Sequence, residues 1–218
     1  MNSRPLSLVL GVGFLLACAS DTRQAALPEN YLRYSSFELF NEDVLLRWPT
    51  RKMPLKVHLG EPPAGHFEHP EALMDAVRDG VTDWTGVAAP GVPSFEFVEN
   101  PGDADIPVVW EPEPDGSWYI AHCVYDINPR TRRFGVARIL LTGKRRRGIP
   151  ADLGDVYMTM LHEMGHALGL RHSPEPSDLM YAGGHWQSGG MSARDRATLA
   201  LLYRRPVGAR VVGARSAD

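Results

Sequence analysis

Within residues 161–172, LHEMGHALGLRH, the chain sets three histidines and one glutamate at fixed offsets. On a helix His162 and His166 lie four residues apart and project from one face. Two imidazoles at that spacing can reach a single tetrahedral ion at about 2.0–2.1 Å. Glu163 is rotated by about 100° from His162, where it can reach a metal-bound water without ligating the metal itself. Gly169 allows the chain to leave the helix sharply, because glycine adopts positive φ at little cost. That exit would return His172 to the same ion from another direction. Three neutral ligands leave a fourth position for water, the arrangement of catalytic rather than structural zinc. A lone HExxH recurs by chance, and the added glycine and third histidine make the signal much sharper.

The rest of the chain reads as one α+β domain. Residues 53–60 alternate apolar and polar side chains between Pro and Gly, as a first strand does. Leu73, Ala76, Val77, Val81 and Trp84 then recur at helical spacing behind Pro70. Residues 94–99, 104–111, 117–127 and 134–143 follow as four strands, the second weakened by Pro107. A helix from Asp155 carries Val156, Met160, Met164 and Leu168, and a last helix spans 192–205 with Leu199, Leu202 and Tyr203 on its apolar stripe. An apolar fraction of 44% with five tryptophans is ample for a core. A net charge of −3 offers no basic field for nucleic acid.

The flanks read differently. Residues 6–17 form an apolar run behind Arg4, too short to cross a bilayer, which needs about 20 residues, and shaped like an export signal. The sequence LLAC at 15–18 resembles a bacterial lipobox, in which Cys18 would be lipidated and anchor the chain to a membrane; a cut after the ACA at 17–19 is the other processing compatible with these residues. Cys18 and Cys123 are the two cysteines, so a disulfide scaffold is excluded, and Cys123 is read as a small hydrophobe in a strand. The resulting division is a signal peptide at 1–18, a tether and lead-in at 19–47 without sustained periodicity, a folded domain at 48–205 and a disordered tail at 206–218. His66 and His69 are read as members of a solvated loop.

HEMGHALGLRH matches the metzincin pattern HExxHxxGxxH, and SDLMY places Met180 where metzincins carry their Met-turn. Several details are similar to the matrixins: Ser173 after the third histidine, the LMY of the Met-turn, the closing segment MSARDRATLALLY and the strand YIAHC at 119–123. The resemblance spans roughly 48–205. It implies a twisted five-stranded mixed sheet with three helices, and an exported zinc metalloendopeptidase acting on protein or peptide substrates. Glu163 would be the general base, His162, His166 and His172 the zinc ligands, and Met180 an apolar floor that does not ligate. An extended peptide would pair with the edge strand near Ile120 and Ala121.

Departures from the family are equally specific. Neither cysteine lies in a cysteine-switch motif. His122 matches one ligand of the family's structural zinc, yet no other histidine stands between His69 and His162, so it is read as a strand residue and one catalytic ion is expected, with structural zinc and calcium left open. The family's Pro-x-Tyr wall is replaced by AGGHWQSGG at 182–190, so cleavage specificity does not carry over; His185 in that segment is a weak candidate for approaching the open metal position. The competing reading is a catalytically silent, lipid-anchored zinc-binding module with a metzincin fold, against which the retained Glu163 argues. The oligomeric state is left open.

Overall fold

A computed structural model describes residues 29–111, 120–145, 149–183 and 189–213. Strand β3 (Leu55–Leu59) turns Leu55 and Val57 inward and Lys56 outward, the period-two pattern visible in its sequence. It lies in a five-stranded sheet with β4 (Phe95–Phe97), β5 (Ile106–Trp110), β6 (Ala121–Asn128) and β7 (Arg133–Leu141), in the order β4-β3-β5-β7-β6. All neighbours run parallel except β6, which is antiparallel to β7 and forms one edge. Pro107 does not displace β5 from the sheet interior. It is the second residue of the strand and stands in register opposite His58 of β3, while the ladder to β7 is registered only from Val108 onward.

Helix α1 (Pro70–Thr82) begins on Pro70 and buries Leu73, Val77 and Val81. Helix α2 (Leu153–Ala167) opens at Asp152, whose side chain accepts the Asp155 N–H. Its second half is buried on every side, from Thr159 through Ala167. Trp84, just beyond α1, ties the two helices by donating its indole N–H to the Leu161 carbonyl at 2.8 Å. Helix α3 (Ala193–Arg204) starts with a capping box in which Ser192 and Asp195 exchange side-chain and backbone bonds. Five strands in one mixed sheet with three helices agree with the expected α+β architecture. A short hairpin, β8 (Lys144–Arg145) with β9 (Ile149–Pro150), precedes α2.

The stretch expected to be a featureless lead-in is built into the core from residue 31. Strands β1 (Ser36–Leu39) and β2 (Glu42–Leu45) form an antiparallel hairpin, turned at Phe40 and Asn41 with φ of 53° and 62°. Tyr31, Phe37, Val44, Leu45 and Leu46 are buried. Four-residue strands are too short to show a period, and the usual Asn-Gly turn signal is missing. The start of the presumed tail supplies what local sequence does not. Leu45 N–H donates to the Ala209 carbonyl, Gly208 N–H to the Leu45 carbonyl and Val211 N–H to the Asp43 carbonyl. Residues 206–211 therefore belong to the fold, while the export-signal reading of 1–18 falls outside the described residues.

Candidate metal centre

The end of α2 is where local sequence becomes site geometry. Leu170 N–H donates to the Gly165 carbonyl and Gly169 N–H to the His166 carbonyl, the two bonds of a Schellman turn. Gly169 occupies its left-handed position at φ 109°, and a Cβ there would strike the Leu46 carbonyl oxygen. The turn has two consequences. It swings His172 back toward the helix, and it aims the Leu170 carbonyl at His166 Nδ1, 2.9 Å away. His162 Nδ1 is matched in the same way, by the Leu179 carbonyl at 2.7 Å.

With each Nδ1–H given to a carbonyl, the Nε2 of both rings is the unprotonated, ligating nitrogen. The available ligand nitrogens of His162, His166 and His172 all lie within 4.8 Å of one another. His166 Nε2 and His172 Nε2 approach to 3.2 Å. Nitrogens on one tetrahedral ion with bonds of about 2.0–2.1 Å stand about 3.4 Å apart, so the donor set fits zinc. Burial also favours the neutral imidazoles a metal requires: it lowers His162 to about 4 and holds His166 well below its ordinary value.

Glu163 is buried beside this cluster. Burial pushes its carboxyl up to about 8, while a backbone hydrogen bond from Cys123 on β6 pulls the other way. The helix glutamate thus reaches β6, the strand at the edge of the sheet. Met180 is fully buried and packs so closely on α2 that a Cβ on Gly165, between His162 and His166 in sequence, would collide with its sulfur. The Met-turn is held by Ser173 N–H to the Met180 carbonyl at 2.8 Å and Tyr181 N–H to the Asp178 carbonyl at 3.3 Å.

The edge strand requires a correction to the expected peptide-pairing residues. Ile120 spends its carbonyl on the Thr142 and Gly143 N–H groups, at 2.8 and 3.2 Å. Ile120 therefore faces inward, toward the β7 side. Because orientation alternates along an antiparallel strand, the outward backbone groups are those of Ala121 and Cys123. The Cys123 side chain packs against the core, as its sequence suggests, and its N–H in addition serves Glu163. His122 lies half-buried in β6, and His66 and His69 are exposed. His185 lies outside the described residues.

Two acids in the site's support escaped the reading of the sequence. Asp178, buried, accepts from the Ser173 and Ser192 hydroxyls and from Arg194 Nε. Asp195, fully buried, accepts from Leu179, Met180 and Ser192 N–H groups. The signal for Asp195 was present, since Ser192 followed three residues later by an acid is a helix-start pattern. Its second partner set, the Met-turn, is visible only in three dimensions.

Two buried histidines and a half-buried third around one point, a glutamate beside them, a buried methionine packed on the same helix and a mixed five-stranded sheet are shared by a known class of zinc enzymes. The family model for matrixins matches residues 66–204, and the chain belongs to that family. Among curated proteins it is 30% identical over 125 residues to human Matrix metalloproteinase-26. That similarity covers 53% of this chain and 44% of the human protein, so the chain spans less than half the length of this relative.

Proposed function

We propose that this chain is an exported zinc-dependent endopeptidase, with His162, His166 and His172 holding the metal and Glu163 acting as general base. The observation that carries this reading is the three-imidazole donor set with a buried carboxyl beside it that reaches the edge strand β6. A bound zinc ion supplies Lewis acidity that polarises a scissile carbonyl and acidifies water. The chain's own groups do the rest. Ala121 is buried, and its N–H and C=O point away from β7; an extended peptide seated there would bind by strand addition with little demand on sequence. Glu163 takes the proton of the attacking water and passes it to the departing amine as the C–N bond breaks. Met180 supplies an apolar floor that keeps water out from below.

A pool of quenched peptides tests the reading. Cleavage is expected, should disappear on treatment with a zinc chelator and should return on adding zinc. No cleavage by a chain shown to carry one zinc would instead favour the silent binding module.

Export and anchoring are part of the same proposal, motivated by the apolar run at 6–17 and the lipobox-like LLAC. No helix among the described residues is long and apolar enough to cross a membrane; the proposed attachment is a lipid on Cys18. The parent is expected to sediment with envelope membranes, and Cys18→Ser to lose that association. A parent found in the cytoplasmic fraction would rule the assignment out.

A further inference from the structure

A continuous run of hydrogen bonds joins the N-terminal segment to the histidine cluster. Tyr31 is fully buried and donates its hydroxyl to Asp195 Oδ1 at 2.7 Å, across 164 residues of sequence. Oδ2 of the same carboxylate accepts Leu179 N–H at 2.9 Å and Ser192 N–H at 2.7 Å. Leu179 in turn presents its carbonyl to His162 Nδ1 at 2.7 Å. Three hydrogen bonds therefore connect a tyrosine far upstream to the ring that would ligate metal. Tyr31 is itself held on α3 a second time, its N–H donating to Thr198 Oγ1 at 3.1 Å, one turn beyond Asp195.

The Tyr31 hydroxyl also decides how Asp195 is satisfied. A fully buried carboxylate needs donors on both oxygens. Without that hydroxyl, Oδ1 keeps only the long 3.4 Å approach of Met180 N–H. The carboxylate would then turn or admit water, and either change shifts the backbone of Leu179 and Met180. That backbone fixes both the orientation of His162 and the position of the methionine floor.

We propose that Tyr31 is a positioning residue for the metal centre, acting through Asp195 and the Leu179 carbonyl on His162. The proposal rests on reading the three histidines as zinc ligands, and not on peptidase activity. Groups that orient a metal ligand from outside the coordination sphere change metal affinity by about 10–100-fold when removed. Tyr31 stands further out, and a loss at the lower end of that range, about tenfold, is expected.

The test uses the full chain, zinc itself as the probe and competition against a chromophoric chelator as the readout. Tyr31→Phe keeps the buried ring and removes only the hydroxyl. It is expected to bind zinc about tenfold more weakly and to alter the visible absorption of the cobalt(II)-substituted protein. Asp195→Asn should lose more, and the double variant should be no weaker than Asp195→Asn alone, because Tyr31 acts through that carboxylate. Leu32→Ala, a packing change in the same segment, should lower the melting temperature of the zinc-free protein and leave zinc affinity unchanged. Zinc binding by Tyr31→Phe as tight as the parent's, or losses that simply multiply in the double variant, would overturn the proposal. A parent that binds no zinc would overturn the metal-site reading and this proposal with it. A parent that binds zinc but cleaves no peptide would leave Tyr31 measurable by the same competition and count only against the peptidase.

Discussion

Replacing Glu163 with alanine is expected to lower peptide turnover about a thousandfold while leaving zinc bound and the fold intact, within the range of about 10²–10⁴ that a positioned acid–base group supplies. The separation between turnover and binding follows from the geometry. His162, His166 and His172 are oriented by the Leu179 and Leu170 carbonyls and by the Schellman turn, none of which involves the Glu163 side chain. What alanine does disturb is the backbone N–H of Cys123, left without its carboxylate partner at a cost of about 1–3 kcal/mol if it stays buried and dry. Glu163→Gln tests for that, since its amide oxygen can still accept the Cys123 N–H while its nitrogen cannot take a proton. Both variants should be equally silent toward peptides, and the glutamine form should melt closer to the parent. Turnover retained by either would remove Glu163 from the role of base.

Gly169→Ala is expected to have the largest effect on the folded state. At φ 109° the residue lies where L side chains are strained, and a Cβ would meet the Leu46 carbonyl oxygen and a Leu202 side-chain carbon at 3.2 Å. Backbone strain and overpacking each cost about 1–3 kcal/mol, so a destabilisation of about 3 kcal/mol or more follows, with melting lower by about 10 °C for a chain of this size. Zinc affinity should fall with it. Any relief of the clash moves the turn that delivers the Leu170 carbonyl to His166 and returns His172 to the site. A variant that melts within a degree or two of the parent would show that the turn carries no such strain. Leu46→Ala tests the same contact from the other side. It leaves the Leu46 carbonyl in place and should cost stability by core packing alone, without loosening zinc.

The site was legible where its geometry is local. A spacing of four puts two histidines on one helix face, and a glycine three residues beyond the second permits the turn. Both rules depend only on helix geometry and on which residues tolerate positive φ. The five strands and three helices were legible from equally local cues, the helices from their apolar spacing and the strands from alternation or β-forming runs bounded by turn residues. The lead-in was not. Its strands are four residues long, their turn uses Phe40 and Asn41, and their pairing partner is the segment near Ala209. The peptide-pairing edge was half legible: a strand at 117–127 could be read, but which residues face outward follows from its register on β7.

The sequence by itself determined the histidine cluster, the flanking glutamate, the placement of Met180 and the family, because these follow from fixed offsets on one helix and the turns after it. Only the tertiary structure decided what holds them in place. The Leu179 carbonyl beneath His162, the Leu46 carbonyl against Gly169, the Cys123 N–H on Glu163 and the Tyr31–Asp195 bond join residues far apart in the chain. Contacts of that kind obey no period, since they are set by how whole elements pack and by the need of each buried polar group for a partner.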